Sequence, residues 1–213
     1  MTQQHEYSVL GGLNRARIGH TIGVIAAGVS SAVVALVLAL VDVAKALGLG
    51  SYIPPLILWP VGAVTIYGIL YWLFDRHAWK WPRLSAVLRV PNLAGDWLVE
   101  GQTINPDKSP GPAWRGEIAI VQTWDRIRIR LKTSQSRSNS IAAALLHDEA
   151  DGYRLMYNYQ NEPNIGEPDL RGHRGFADLT FDEKLHSAQG EYFNGHGRFT
   201  FGTLRLARKG RHG

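Results

Sequence analysis

The sequence lacks cysteine, and it lacks the short motifs that mark common enzyme classes. Its 213 residues contain no Cys, which excludes a disulfide scaffold, thiolate metal ligands and a cysteine nucleophile. No G-x-S-x-G nucleophile turn, G-x-x-x-x-G-K-[ST] phosphate loop or H-E-x-x-H zinc motif occurs in it. Four histidines of the C-terminal half, His147, His173, His186 and His196, stand at no metal-ligand spacing. We therefore expect neither an enzyme nor a bound metal or other cofactor.

Charge is absent from two long apolar runs near the N-terminus, Ile22–Val41 and Ile53–Phe74. At about 1.5 Å per helical residue, each run spans the roughly 30 Å of bilayer hydrocarbon. The pair predicts a transmembrane helical hairpin over residues 18–75. A cleaved signal peptide is the competing interpretation, but its apolar core would be about 7–15 residues long. Neither run contains the acid, histidine or arginine expected of a proton relay or selective transporter.

Cations mark the outer ends of these runs, and positive residues concentrate on the cytoplasmic side of membrane proteins. The only lysine of the connecting loop, Lys45, is offset by Asp42. Both termini are therefore predicted to be cytoplasmic, with residues 1–17 as an N-terminal tail and the Trp- and Arg-rich residues 76–91 as a juxtamembrane linker. The flanking cations are Arg15, Arg17, Arg76, Lys80 and Arg83.

Small side chains recur every four residues along the first run and form a ridge on one helix face. In lipid, small residues allow the close helix approach that drives association. The ridge either seats the first helix on the second or joins one protomer to another, and the sequence leaves both open. It consists of Gly23, Ala27, Ser31, Ala35 and Ala39.

From residue 92 onward the apolar pattern changes to a period of two, which predicts strands. The clearest case is Arg126–Lys132, where isoleucine and leucine alternate with arginine and lysine; its apolar face is expected to point inward. Similar alternation surrounds Trp97 and Ile118. Five further candidates are Ile141–His147, Tyr153–Gln160, Gly175–Phe181, Leu185–Phe193 and Arg198–Arg208.

Eight short strands in succession, without a helix between them, predict an all-β domain over residues 92–213. Consecutive antiparallel hairpins of this number close into a minimal up-and-down β-barrel of the lipocalin-like kind, which holds packed side chains or one small ligand. A β-sandwich is the alternative. Closure also removes exposed strand edges next to a membrane.

Aromatic residues of this domain are candidates for stacking on nucleobases or other flat ligands. They also favour strand interiors, so a core role is the alternative for each of them. Cations near strand ends would bind phosphates, asparagines would contact base edges, and the net charge of +5 suits an anionic partner. The candidate ligand-binding residues are Trp97, Tyr153, Arg154, Tyr157, Asn158, Tyr159, Asn161, Arg171, Arg174, Tyr192, Asn194 and Arg198.

Architecture and short motifs together resemble a known bacterial family. The motifs are Asn92-Leu-Ala-Gly-Asp-Trp97, Tyr157-Asn-Tyr-Gln-Asn-Glu-Pro163, Gly190-Glu-Tyr-Phe-Asn-Gly195 and Gly202-Thr-Leu-Arg205. With two N-terminal spans before a strand-rich domain, the chain resembles the SMODS-associating, two-transmembrane, β-strand-rich effectors of CBASS antiphage defence. The resemblance covers nearly the whole chain.

The resemblance implies a specific function. In that family the barrel binds a cyclic dinucleotide made by a partner nucleotidyltransferase, binding promotes homo-oligomerisation, and the assembled helices disrupt the bacterial inner membrane. No DNA or RNA polymer is expected as a partner. The alternative is a membrane-tethered, lipocalin-like carrier of lipid or another small molecule, or a scaffold.

Overall fold

The computed structural model divides the chain into two compact units. A sheet unit comprises residues 1–12 and 80–213, and a helical unit comprises residues 13–79. The structure describes residues 4–48, 55–150, 152–167, 171–195 and 198–210, with the side chains of α2 described from residue 62 onward. His196 and the first two residues of the second apolar run therefore lie outside the described residues. In sequence, the helical unit is an insertion between the first strand and the rest of the sheet unit.

Two helices make up the helical unit: α1 (Arg15–Ala46) and α2 (Pro55–Arg76). Asn14 caps α1, its side chain accepting a hydrogen bond from the backbone N–H of Ala16 at 2.8 Å. A Cβ built on Gly62 of α2 would lie 3.1 Å from Ser30 Oγ of α1, and one built on Gly23 would lie 3.9 Å from the Tyr67 ring. The later residue of α1, Ser30, thus lies near the earlier residue of α2, Gly62, and the earlier residue Gly23 lies near the later residue Tyr67. The two helices are therefore antiparallel.

The face of α1 that is buried lies beside the predicted small-residue ridge. Ile22, Ala26 and Ser30, four residues apart, are the buried positions of α1. Along the ridge, Gly23 is half-buried, and the other four members, Ala27, Ser31, Ala35 and Ala39, are exposed. Most of the ridge is therefore on the surface of the single chain.

The sheet unit contains nine strands among the described residues, paired in a closed ring. Their order around the ring is β1-β4-β3-β2-β9-β8-β7-β6-β5, and β4 also pairs with β5. All eight predicted strands are present as β2 to β9, each antiparallel to the next, with β9 paired to β2. The bounds are β1 His5–Leu10, β2 Gly95–Ile104, β3 Pro110–Gln122, β4 Arg126–Thr133, β5 Ser136–Asp148, β6 Gly152–Pro163, β7 His173–Phe181, β8 Ser187–Asn194 and β9 Phe201–Arg208.

The predicted count of eight strands is wrong, because β1 lies in the stretch assigned to an N-terminal tail. Strands β4 and β5 pair directly only near their shared turn, at Arg130–Lys132 with Arg137–Asn139. Farther from the turn, β1 fills the gap between them, antiparallel to β4 and parallel to β5. Tyr7 of β1 is 3% exposed, and its hydroxyl donates to the Thr123 carbonyl at 3.3 Å. This parallel strand interrupts the up-and-down order.

One end of the ring is tightly packed. Trp97 is fully buried there; its indole N–H donates to the Leu93 carbonyl at 3.1 Å, and the Arg208 guanidinium lies 5.0 Å from its ring centre. The segment after α3 (Pro82–Leu88) covers this end with buried Val90 and Leu93. We call this the closed end. Helix α3 itself lies in the region predicted as a juxtamembrane linker.

The inward alternation of β4 is confirmed. Ile127 and Ile129 are buried, whereas Arg126 and Arg130 are exposed. Arg128 is half-buried and donates to Asn139 Oδ1 at 3.0 Å on the neighbouring strand. The isoleucine face therefore belongs to the ring interior, as the period-two pattern predicts.

Candidate ligand-binding site

A cavity of about 510 Å³ opens at the other end of the ring. It lies where β2, β4, β6 and β8 finish and β3, β5, β7 and β9 begin, which is one end of an antiparallel ring. Its volume falls within the roughly 300–1,000 Å³ typical of small-molecule sites. The lining residues used below are Thr103, Trp114, Arg115, Ile118, Ile129, Ser136, Ser138, Tyr157, Tyr159, Asn161, His173, Ala177, Tyr192, Asn194, Arg198 and Leu204.

Large aromatic rings line this cavity because small residues on neighbouring strands leave room for them. A Cβ built on Gly101 would lie 2.1 Å from Cε2 of Trp114, its register partner across β2 and β3. One built on Gly175 would lie 2.5 Å from Cζ of Tyr159, its partner across β6 and β7. The indole and the phenol thus lie over glycines. Any larger side chain at either glycine would displace the ring.

Hydrogen bonds fix three of the four aromatic side chains. The Tyr192 hydroxyl lies 3.0 Å from Thr103 Oγ1 and accepts from the Trp114 indole N–H at 3.2 Å. The Tyr159 hydroxyl donates to Asn194 Oδ1 at 2.7 Å. The fourth is Tyr157, whose hydroxyl forms no hydrogen bond with any residue that the structure describes. Hydrogen bonds therefore hold Trp114, Tyr159 and Tyr192 in place before a ligand arrives.

Tyr157 and Tyr159 stay neutral at physiological pH. Burial raises the pKa of both Tyr157 and Tyr159 well above the usual range for a phenol. Each buried hydroxyl consequently remains a hydrogen-bond donor as well as an acceptor.

Amide, hydroxyl and imidazole groups form a polar wall on β5, β6 and β7. The Asn161 side-chain N–H groups donate to Ser136 Oγ and Ser138 Oγ, both at 2.9 Å. His173, the register partner of Asn161, places Nδ1 2.9 Å from the Arg171 carbonyl oxygen. Burial is the main cause that lowers the pKa of His173, so its imidazole is neutral at pH 7. This wall offers hydrogen bonds without a formal charge.

The formal charge around the cavity is positive. Arg115 and Arg198 line it, and none of its lining residues in the described part of the chain is an aspartate or glutamate. Arg115 also forms an exposed ion pair with Glu100 at 3.1 Å. Burial has the largest effect on both neighbours of Arg198, raising the pKa of Tyr159 and lowering the pKa of His173, and the charge of Arg198 acts on each in the lowering direction. Arg198 gives the aromatic cavity a cation, whereas the charge of Arg115 at the rim is paired with Glu100; this arrangement favours an anionic ligand with flat rings.

Half of the twelve predicted ligand-binding residues line the cavity. They are Tyr157, Tyr159, Asn161, Tyr192, Asn194 and Arg198. The other six do not line it: Trp97 belongs to the closed end, and Arg154 pairs with Asp178, its Nε donating at 2.7 Å. The Tyr153 ring meets His147 edge-on, with ring centres 4.9 Å apart. Asn158, Arg171 and Arg174 are exposed, and Arg174 lines a separate shallow depression.

Several cavity residues were missed from the sequence. Trp114 precedes the recognised alternation around Ile118, and Ser136 and Ser138 lie between the predicted strands Arg126–Lys132 and Ile141–His147. Burial alternates only over Ser136, Arg137 and Ser138, because Asn139 and Ser140 are both buried. His173 carried no pattern at all. In the described part of the chain, no group of three or more His, Cys, Asp or Glu side chains is placed to hold a metal ion.

The helical unit carries features of a membrane segment. Among the described residues, α1 is long and apolar enough to cross a bilayer. It exposes large apolar side chains, including Val24, Leu36 and Leu40, each about 60% exposed. A helix with this surface suits lipid rather than water. Joined to a sheet unit with a cation-lined aromatic cavity, it defines a membrane-associated receptor for a small anionic ligand.

Comparison with known proteins identifies the family. A family described as "Cap15, TM helices" matches residues 16–80, and one described as "Cap15, cyclic dinucleotide receptor domain" matches residues 88–208. A relative from Yersinia aleksiciae, CD-NTase-associated protein 15, is 43% identical over 206 residues, which cover 97% of this chain and 98% of the relative. The chain therefore belongs to the Cap15 family of CBASS effectors, in which transmembrane helices accompany a cyclic dinucleotide receptor domain. The predicted family resemblance is confirmed.

Proposed function

We propose that a cyclic dinucleotide binds in the sheet-unit cavity opposite the closed end and thereby drives the helical unit to assemble and disrupt the inner membrane. The observation that carries this proposal is the composition of the cavity. Trp114 and three tyrosines supply faces for bases, and Arg198 supplies charge for phosphates. Arg115 lies at the rim in its ion pair with Glu100. Base stacking on aromatic side chains is worth about 1–3 kcal/mol per base.

The ligand comes, in this proposal, from a partner nucleotidyltransferase, and the protein itself needs no cofactor or enzymatic activity. Its output is mechanical. A ligand drives assembly only if it binds the assembly-competent state more tightly than the resting state. Cyclic dinucleotide binding and oligomer formation should therefore be linked, each strengthening the other.

Both α1 and α2 span the bilayer in this proposal. Paired antiparallel helices return the chain to the side on which it started. The cations before α1 and after α2 assign that side to the cytoplasm. The cavity would then face the compartment in which a nucleotidyltransferase releases its product.

Calorimetry on the full-length protein in detergent tests the ligand assignment. We expect at least one of the 3′,3′-linked cyclic dinucleotides c-di-AMP, c-di-GMP, c-di-UMP and cyclic GMP–AMP to bind with measurable heat. We expect weaker binding of the linear dinucleotides, because they lose more conformational freedom on binding than a preorganised ring does. Lipid released from the purified protein, together with no heat from any cyclic dinucleotide, would instead support the lipid-carrier alternative.

A further inference from the structure

Tyr157 has an unusual position among the cavity tyrosines. Its side chain is only 5% exposed and lines the cavity. The hydroxyls of Tyr159 and Tyr192 both have hydrogen-bond partners within the protein. The Tyr157 hydroxyl has no hydrogen-bond partner among the described residues. Its oxygen is not completely enclosed by protein atoms. It therefore borders the cavity space.

Tyr157 also lies deeper than the polar wall. It precedes Asn161 on β6 by four residues, which is about 13 Å along a strand. Other lining residues toward the interior, namely Ile118, Ile129, Ala177 and Leu204, are apolar and buried. The polar and charged lining residues cluster instead at the strand ends. Tyr157 thus lines the cavity from the part of its strand where the neighbouring lining residues are apolar, and its ring centre lies 6.0 Å from that of Tyr159.

A phenylalanine at this position would fill the same space without the free-energy cost of burying an unpaired hydroxyl. A buried hydroxyl without a partner loses hydrogen bonds to water and recovers none from the protein. Native structures hydrogen-bond nearly all such groups, and exceptions call for an explanation. A ligand atom that reaches Tyr157 supplies the missing partner.

We propose that Tyr157 is a specificity-determining residue that hydrogen-bonds the polar edge of one nucleobase inserted deep into the ring, while the phosphates stay near Arg115 and Arg198. This inference rests on the proposed function, because it assumes that a cyclic dinucleotide enters the cavity. Nucleobases would then differ in affinity according to whether a polar atom on their edge reaches the Tyr157 hydroxyl. A phenol can donate to a base carbonyl or ring nitrogen, or accept from a base N–H.

Tyr157→Phe removes this hydroxyl alone. In full-length protein in detergent, we expect it to weaken the tightest of the four cyclic dinucleotides named above by about tenfold or more, because one buried hydrogen bond is lost. We also expect smaller affinity differences among the four ligands. The unliganded thermal midpoint should be unchanged or higher, because an unpaired polar atom has been removed from the interior.

Tyr153→Phe is the matched control. Tyr153 lies on the same strand but does not line the cavity, so this variant should bind like the wild type. Wild-type affinity in Tyr157→Phe would overturn the inference while leaving the proposed function intact. A parallel loss of affinity and of unliganded stability would overturn it too, since it would reveal a structural role. If the wild type binds none of the four ligands, both proposals fail.

Discussion

Two glycines determine where aromatic rings can lie in the cavity. Gly101 and Gly175 face inward at positions where a single methyl group would overlap Trp114 or Tyr159. At Gly101 the three nearest atoms all belong to the Trp114 side chain, whereas the Phe193 backbone also approaches Gly175. Gly101 is therefore the cleaner position at which to move one ring and leave the strands in place.

We predict that Gly101→Ala weakens cyclic dinucleotide binding about as much as Trp114→Ala does. The added Cβ would lie 2.1 Å from the indole, so the ring must leave its position. The loss should correspond to stacking on one base, about 1–3 kcal/mol. Calorimetry measures it. Gly172→Ala is the control, because its Cβ would meet neighbours only at 3.5 Å or more. Unchanged affinity in Gly101→Ala would show that the Trp114 position is irrelevant to binding.

Two arginines predicted to bind phosphate, Arg198 and Arg154, differ in where they lie. Arg198 lines the cavity, whereas Arg154 pairs with Asp178 away from it. We predict that Arg198→Gln weakens binding about tenfold at low salt, since hydrogen bonds to charged groups contribute about 1.5–3 kcal/mol. The difference from the wild type should shrink as ionic strength rises. Arg154→Gln should leave affinity unchanged, and the reverse order of effects would contradict the site.

Sequence patterns predicted the inward faces better than the cavity itself. Alternation within the predicted strand Tyr153–Gln160 puts Tyr153, Tyr157 and Tyr159 on one face, and the last two are buried in the structure. The same alternation could not show which end of the ring is packed, so Trp97 was grouped with the site. Nor could it show that Arg154 meets Asp178, because that pairing depends on the register of β6 with β7. Alternation along one strand determines which face a side chain lies on, but the residues around that side chain come from strands that are distant in sequence.

Strand β1 is the element of the sheet unit that the sequence analysis did not predict. It has six residues, and its partners on β5 lie more than 130 positions away along the chain. So short a strand carries little periodic signal, and only the long-range pairing reveals it. The neighbouring strands β2 to β9 are joined to one another by short connections, and their alternation was sufficient to predict them.

The position of β1 makes a stability prediction. Tyr7 is buried, and its hydroxyl accepts a hydrogen bond from Gln122 Nε2 at 3.3 Å. Tyr7→Ala should destabilise the sheet unit by about 3–5 kcal/mol, as large-to-small core changes do. Tyr7→Phe should cost only about 1 kcal/mol, because packing is kept and hydrogen bonds are lost. Denaturant unfolding of the full-length protein measures both. If Tyr7→Ala unfolds at the wild-type midpoint, the N-terminal stretch is not a core strand.

At the scale of the whole molecule, the sheet unit is continued on both sides of the helical insertion. β1 leads into α1, and α2 leads back through the turn Ala78–Lys80 and α3 to β2. β1 runs parallel to β5 and finishes beside Leu146, toward the closed end of the ring. Within the sheet unit, both connections thus leave from the end opposite the cavity mouth. An isolated receptor fragment that starts after α2 would lack β1.

The exposed ridge of α1 makes a prediction about assembly. Because Ala27 and Ser31 are exposed in the single chain, we expect them to contact another protomer after activation. Ala27→Leu with Ser31→Leu should lower cyclic dinucleotide-induced crosslinking and leave ligand affinity unchanged. The matched control is Val29→Leu with Val33→Leu, which adds bulk to exposed positions off the ridge. Equal crosslinking in both double variants would rule out the ridge as the contact.

Dye release from liposomes tests the central claim most directly, because it joins the cavity to the membrane in one assay. Full-length protein is reconstituted, a cyclic dinucleotide that binds it is added, and leakage is recorded for the wild type and for Arg198→Gln. We predict ligand-dependent leakage for the wild type, and the same leakage for the variant only at about tenfold higher ligand, matching its weaker binding. Leakage that is independent of ligand, or tight binding without any leakage, would contradict the account.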